Sequence, residues 1–101
     1  MTEKLQARFD EAMRNIYRSA LSECGYRATR FLQLVETHGG VLAAKQLLHS
    51  PSHPEGLTKL WELGRLDLSM EALVLMEPWN MLFTEDDLRI ARKRLRDLGY
   101  G

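Results

Sequence analysis

The stretch ATRFLQLVETHGGVLAAKQLLH, residues 28–49, decides the fold class. Ala28, Phe31, Leu32, Leu34 and Val35 recur at helical spacing, while Thr29, Arg30, Gln33, Glu36 and Thr37 fall on the other face. That pattern predicts an amphipathic helix over residues 28–38. Gly39-Gly40 stops it sharply. Val41, Ala44, Leu47 and Leu48 then define a second, shorter helix over residues 41–49. Two amphipathic helices broken by a glycine pair are the element of an all-α domain. No alternating run of β-branched residues occurs anywhere in the chain to compete with that reading.

Toward the N-terminus, Leu5, Phe9, Ala12, Met13, Ile16 and Ala20 share a face opposite Lys4, Arg8, Glu11, Asn15, Arg18 and Ser22. This predicts a long helix over residues 2–23, with Asp10 and Arg14 placed for a weak surface pair. The motifs SECGYR, ETHGGV, WELGRL and DLGYG end helices in glycine, which adopts the left-handed conformation without steric cost. Tyr26 and Tyr100 follow such glycines, and each is expected to fold back on its last turn, at Leu21 and Leu95.

Toward the C-terminus, HSPSHPEG (residues 49–56) forbids helix continuation and reads as a loop. Leu57 to Leu63 reads as a short helix closed by Gly64. Ser69 caps a helix extending to about Met76, and Pro78 ends it before a turn over EPWNMLF. Thr84 and Asp87 form an approximate capping box for a last helix whose buried stripe is Leu88, Ala91, Leu95 and Leu98. The expectation is a compact all-α single domain over residues 1–101, with five or six short helices in orthogonal or bundle-like packing.

Composition narrows the function. Lys plus Arg and Asp plus Glu each number 14, so the formal net charge is zero and nothing draws the whole chain toward nucleic acid or an anionic membrane. A single cysteine, Cys24, rules out an internal disulfide. The N-terminus lacks a signal-peptide core and no apolar run reaches transmembrane length, so a soluble, cytoplasmic protein is expected.

No catalytic constellation emerges. Cys24 lies at a helix C-terminus, where the dipole disfavours a thiolate. His38, His49 and His53 could approach Cys24, but they have no metal-ligand spacing. The pair of helices around Gly39-Gly40 could be read as a DNA-binding helix-turn-helix, yet its second helix offers only Lys45, Gln46 and His49 as polar contacts. We therefore expect no enzyme, cofactor, metal or small-molecule substrate.

Two surfaces remain. The stretch LWELGRLDLSMEALVLMEPWNMLF holds both tryptophans and Met70, Met76 and Met81. Its residues Trp61, Arg65, Asp67, Met76 and Trp79 are the candidates for binding a protein partner or a second copy of the chain. Arg65 and Asp67 can pair with each other or with Glu62 and fix the Gly64 corner, or equally face a partner's polar rim. The alternative is phosphate-backbone binding through Arg89, Arg92, Lys93 and Arg96, which share the face of the last helix opposite its leucines. Arg94 falls at the flank of that face.

The motifs GYRATRFLQLVETHGGVLAAKQLL, GLTKLWELGRLDLSMEALVL and LFTEDDLRIARKRLRDLGY together resemble a small family of bacterial all-α domains with no established activity. The resemblance covers about Tyr17 to Tyr100, and LWELGRLDLS followed by EALVL is its most specific part. It implies an accessory module, standing alone or attached to nuclease-like or defence-associated proteins. It carries no functional residues over to this chain.

Overall fold

A computed structural model describes residues 2–50 and 55–100. Among them are six α-helices and no strand: α1 (Thr2–Cys24), α2 (Thr29–His38), α3 (Gly40–Leu48), α4 (Glu55–Glu62), α5 (Met70–Val74) and α6 (Glu85–Asp97). Two 3₁₀ turns, Leu66–Leu68 and Trp79–Leu82, flank α5. The radius of gyration is 12.5 Å, close to the ~13 Å of a single folded unit of this length.

The glycine punctuation is realised. Gly25, Gly39, Gly64 and Gly99 all have positive φ. At Gly64 and Gly99 the paired hydrogen bonds are those of a Schellman end: Arg65 N–H to Leu60 O with Gly64 N–H to Trp61 O, and Tyr100 N–H to Leu95 O with Gly99 N–H to Arg96 O. The end of α1 differs. Tyr26 N–H reaches Ala20 O, and the ring packs against the cluster of Ala20, Leu57, Leu60, Leu66 and Leu95 rather than closing over Leu21, which stays exposed.

α5 is shorter than its sequence suggests, ending at Val74, although Ser69 caps it as expected by accepting from Ala72 N–H. The 3₁₀ turn at Leu66–Leu68 was not expected. It lets Leu66 enter the core two residues after the Gly64 corner. Thr84 and Asp87 form the full reciprocal capping box at the start of α6.

Two apolar clusters divide the interior. The larger gathers Phe9 and Met13 of α1, Val35 of α2, Ala43, Ala44 and Leu48 of α3, Met70 and Val74 of α5, Phe83, and Leu88 and Ala91 of α6. Phe9 packs its ring against Trp79 and Phe83, with centroids 5.7 and 5.4 Å away. The smaller cluster holds Ala20, Leu57, Leu60, Leu66 and Leu95 at the other end of α1.

α3 sits at the centre and is secured at both ends by other helices. At its start, Asp10 of α1 accepts Gly40 N–H at 2.6 Å, doing the work of the N-cap side chain that Gly39 lacks. The approach is close enough that a Cβ on Gly40 would stand 2.8 Å from Asp10 Oδ1 and 3.0 Å from the Phe9 ring. The expected Asp10–Arg14 pair forms no ion-pair contact, although the Asp10 charge still helps Glu36 to raise the Arg14 pKa. Arg14 turns to Glu36 of α2, 2.8 Å away, because Asp10 is committed to Gly40.

At its end, α3 meets Arg94. This side chain, expected at the flank of a solvated face, is only 7% exposed. Its guanidinium donates to Leu47 O and Leu48 O, both at 2.9 Å, and to Ser50 O and Glu71 Oε2, both at 3.1 Å. One planar fork thus answers the free carbonyls at the end of α3 and the carboxylate of Glu71, itself 2% exposed.

Candidate functional site

Four groups of side chains among the described residues each test a different part of the sequence reading. The first is the Gly64 corner. Arg65 Nη2 donates to Glu23 Oε1 at 2.9 Å, and Arg65 also bridges to both oxygens of Asp67 at 3.1 Å. The expected Arg65–Asp67 pair forms, but the third member is Glu23 at the end of α1, not Glu62. The hydrogen bond from Arg65 lowers the Asp67 pKa, and the two carboxylates raise that of Arg65.

Several apolar side chains on the helix ends near this corner are exposed. Trp61 is 49% exposed, and Leu21, Leu63 and Tyr100 are exposed with it. Leu21 and Trp61 follow Ala20 and Leu60 of the smaller cluster in sequence. Tyr100 is tied to Leu95 of the same cluster by its backbone. Met76 and Trp79 are placed elsewhere. Trp79 is half-buried against Phe9, while the Arg65 corner touches Glu23. At a rise of 1.5 Å per residue, about 21 Å of α1 separates those two levels. The five candidate partner-binding residues therefore divide: Trp61, Arg65 and Asp67 share one end, and Met76 and Trp79 lie toward the other.

The second group is the basic face of α6. Arg89 is paired with Asp86, and Lys93 donates to Asp97 at 2.9 Å. Arg92 and Arg96 are exposed and have no charged or hydrogen-bonding partner among the described residues. Arg94, the fifth basic residue of the helix, is withdrawn into the interior. The strip thus presents two unengaged cations.

The third group was not anticipated beyond its capping role. Asp87, almost wholly buried, accepts from Thr84 N–H at 3.0 Å, Lys45 Nζ at 2.6 Å and His49 Nε2 at 2.7 Å. A carboxylate only accepts, so Nε2 of His49 carries the proton in this contact. Burial pushes the Asp87 pKa up, but the hydrogen bonds from Lys45, His49 and the Thr84 backbone outweigh it. The carboxyl is held well below its usual range. An aspartate-oriented imidazole is one component of a general-base pair. The His49 imidazole makes no second hydrogen bond among the described residues.

The signal for these buried charges was present. Asp87 and Arg94 are seven residues apart, two helical turns, and so lie on one side of α6 beside its leucine stripe. Lys45 of α3 and His49, the C-cap residue four positions on, reach Asp87 together.

The fourth group lines a cleft of about 550 Å³ between α1, the start of α2, the end of α3, α4 and α5. Ile16, Phe31 and Leu34 contribute partly exposed apolar wall over the buried Leu57, Leu60 and Met70, Arg27 stands exposed just before α2, and Arg30 stands exposed in its first turn. Cys24 is half-buried. His53 lies outside the described residues, and among those residues no three His, Cys, Asp or Glu side chains gather as metal ligands would. No described helix is long and apolar enough to cross a membrane.

No protein family, curated protein or solved structure matches this chain.

Proposed function

We propose that the protein is a non-catalytic interaction module, and that it associates with a second copy of itself through the apolar end around Trp61. The observation that carries this reading is the exposure of Trp61, and of Leu63, Leu21 and Tyr100 on the helix ends around the smaller cluster, together with the Arg65–Asp67–Glu23 network that ties two of those ends. Aromatic anchors bordered by arginine are the residue types that dominate association energies. Several large apolar side chains gathered at one end of a small domain also mark an interaction site more strongly than scattered ones do. A net charge of zero places no long-range repulsion between two copies.

The test is light scattering across micromolar to millimolar concentrations, with Trp61→Glu beside the wild type. A wild-type dimer that Trp61→Glu returns to monomer, with unchanged circular dichroism, supports the reading. A wild type that stays monomeric throughout the range contradicts it, as does a dimer indifferent to the substitution.

Phosphate-backbone binding through Arg89, Arg92, Lys93 and Arg96 has less support. Two of the four cations are engaged by Asp86 and Asp97. Arg92 and Arg96 remain to favour it. A nucleic-acid titration at low salt measures that contribution, which falls steeply with added salt if it exists.

A further inference from the structure

Among the described residues are two exposed histidines that each close a helix. His38 is the last residue of α2, and His49 is the C-cap of α3. His38 has no charged or hydrogen-bonding partner among the described residues. His49 is held by a buried carboxylate. Its Nε2–H donates to Asp87 Oδ1 at 2.7 Å, with the Asp87 side chain 3% exposed and that of His49 48% exposed. The two oxygens of Asp87 are divided between tasks. Oδ2 accepts from Lys45 Nζ and Thr84 N–H, which leaves Oδ1 to the imidazole.

This arrangement singles out one atom. With the proton on Nε2, the free lone pair of the ring lies on Nδ1. Nδ1 makes no hydrogen bond among the described residues. When such a nitrogen attacks an electrophile, positive charge develops on the ring, and Asp87 already sits at the N–H that shares it. A buried carboxylate in that place orients the imidazole and stabilises the imidazolium, as in a serine-hydrolase triad. Lys45 and Thr84 fix the carboxylate in advance, so it needs no reorientation as the charge appears. The surrounding charges select the electrophile. Lys45 is answered by Asp87, and Glu85 and Asp86 stand exposed in the same first turn of α6. Nothing in that set draws an anionic donor.

We propose that His49 Nδ1 is an acyl-acceptor site, modified by small, uncharged, activated carboxyl or carbonic compounds. The Nδ1 lone pair forms a bond to the carbonyl carbon. The bond from that carbon to the leaving oxygen breaks, and the oxygen departs with the bonding pair. The Nε2 proton then passes to solvent, leaving a neutral N-acyl imidazole. The chain is the substrate of this modification. The site uses none of the residues assigned to self-association, so the two readings stand or fall separately.

Diethyl pyrocarbonate, an uncharged carbonic electrophile, tests the proposal on the full chain at about pH 8, above the ordinary imidazole range. Peptide mass spectrometry reads each histidine in the same sample, with His38 as internal reference. His49 should acquire the carbethoxy group about tenfold faster than His38, the factor that a charge-assisted hydrogen bond to the developing cation supplies. In urea concentrated enough to unfold the chain, the two rates should converge. Asp87→Asn, with its helical circular dichroism retained, should bring His49 to the His38 rate. Acetyl phosphate, an anionic acyl donor, should favour His49 less than diethyl pyrocarbonate does. Equal rates at the two histidines of the native chain would overturn the proposal. So would a preference for His49 that survives urea or Asp87→Asn, or one that is stronger with acetyl phosphate.

Discussion

α2 and α3 are neighbours of similar length joined through Gly39, yet their ends are treated in opposite ways. α3 receives a carboxylate from α1 at its start and a guanidinium from α6 at its end, each of the sign that its dipole favours. The start of α2 receives two arginines and no cap. The contrast separates charges that assemble the domain from charges that no described residue answers. Arg94 and Asp87 are buried and fully engaged. Arg27 and Arg30 are exposed and unanswered beside a cleft.

Four substitutions break or sharpen that contrast. Arg94→Met has the largest expected effect. It removes the guanidinium from the buried carboxylate of Glu71 and from the carbonyls of Leu47 and Leu48. A loss of about 3–5 kcal/mol in urea unfolding is expected. Gly40→Ala comes next, at about 1–3 kcal/mol, because the added methyl meets Asp10 and Phe9. A larger loss for Gly40→Ala than for Arg94→Met would mean that α3 is fixed by close packing more than by charge.

Asp87→Asn should cost about 1–2 kcal/mol at neutral pH, since an amide answers Lys45 and His49 less well than a carboxylate. It also has a pH signature. The folded-state pKa of Asp87 lies below its unfolded value, so the contribution is complete above about pH 4 and is lost as pH falls through the folded value. Acid unfolding of Asp87→Asn should therefore show a shallower dependence on pH than the wild type below pH 4. Ala28→Asp has the smallest expected effect and the opposite sign. A gain of about 1 kcal/mol is expected from the cap and the favourable charge. No gain would mean that the start of α2 is already satisfied, and the contrast with α3 would dissolve.

Much of this architecture was legible in the sequence. Glycine stops, the Ser69 cap and the Thr84–Asp87 box are local, and their chemistry is written within a few residues. The leucine stripe of α6 was equally readable, with Leu88, Ala91 and Leu95 buried. Contacts between distant segments were not. Arg92 and Arg94 look alike in the run RIARKRLRD, but only Arg94 lies on the side of α6 that meets the end of α3. That depends on how the two helices cross. Asp10 looked like a partner for Arg14 because they are one turn apart. Its contact with Gly40, thirty residues away, exists only because a glycine lets α1 and α3 approach closely. The candidate partner-binding set was legible by residue type alone. Which members share a surface depends on where Trp79 packs, and the ring of Phe9 decides that. The cleft has no sequence signature of its own, since its walls come from five separate segments.

The measurement that bears most directly on how α3 is held is a double-mutant cycle between Arg94→Met and Glu71→Leu, read by urea unfolding. If the buried fork secures the helix as described, each single variant is strongly destabilised and the double variant recovers about 2 kcal/mol or more relative to their sum. Effects that add to within about 0.5 kcal/mol would contradict it.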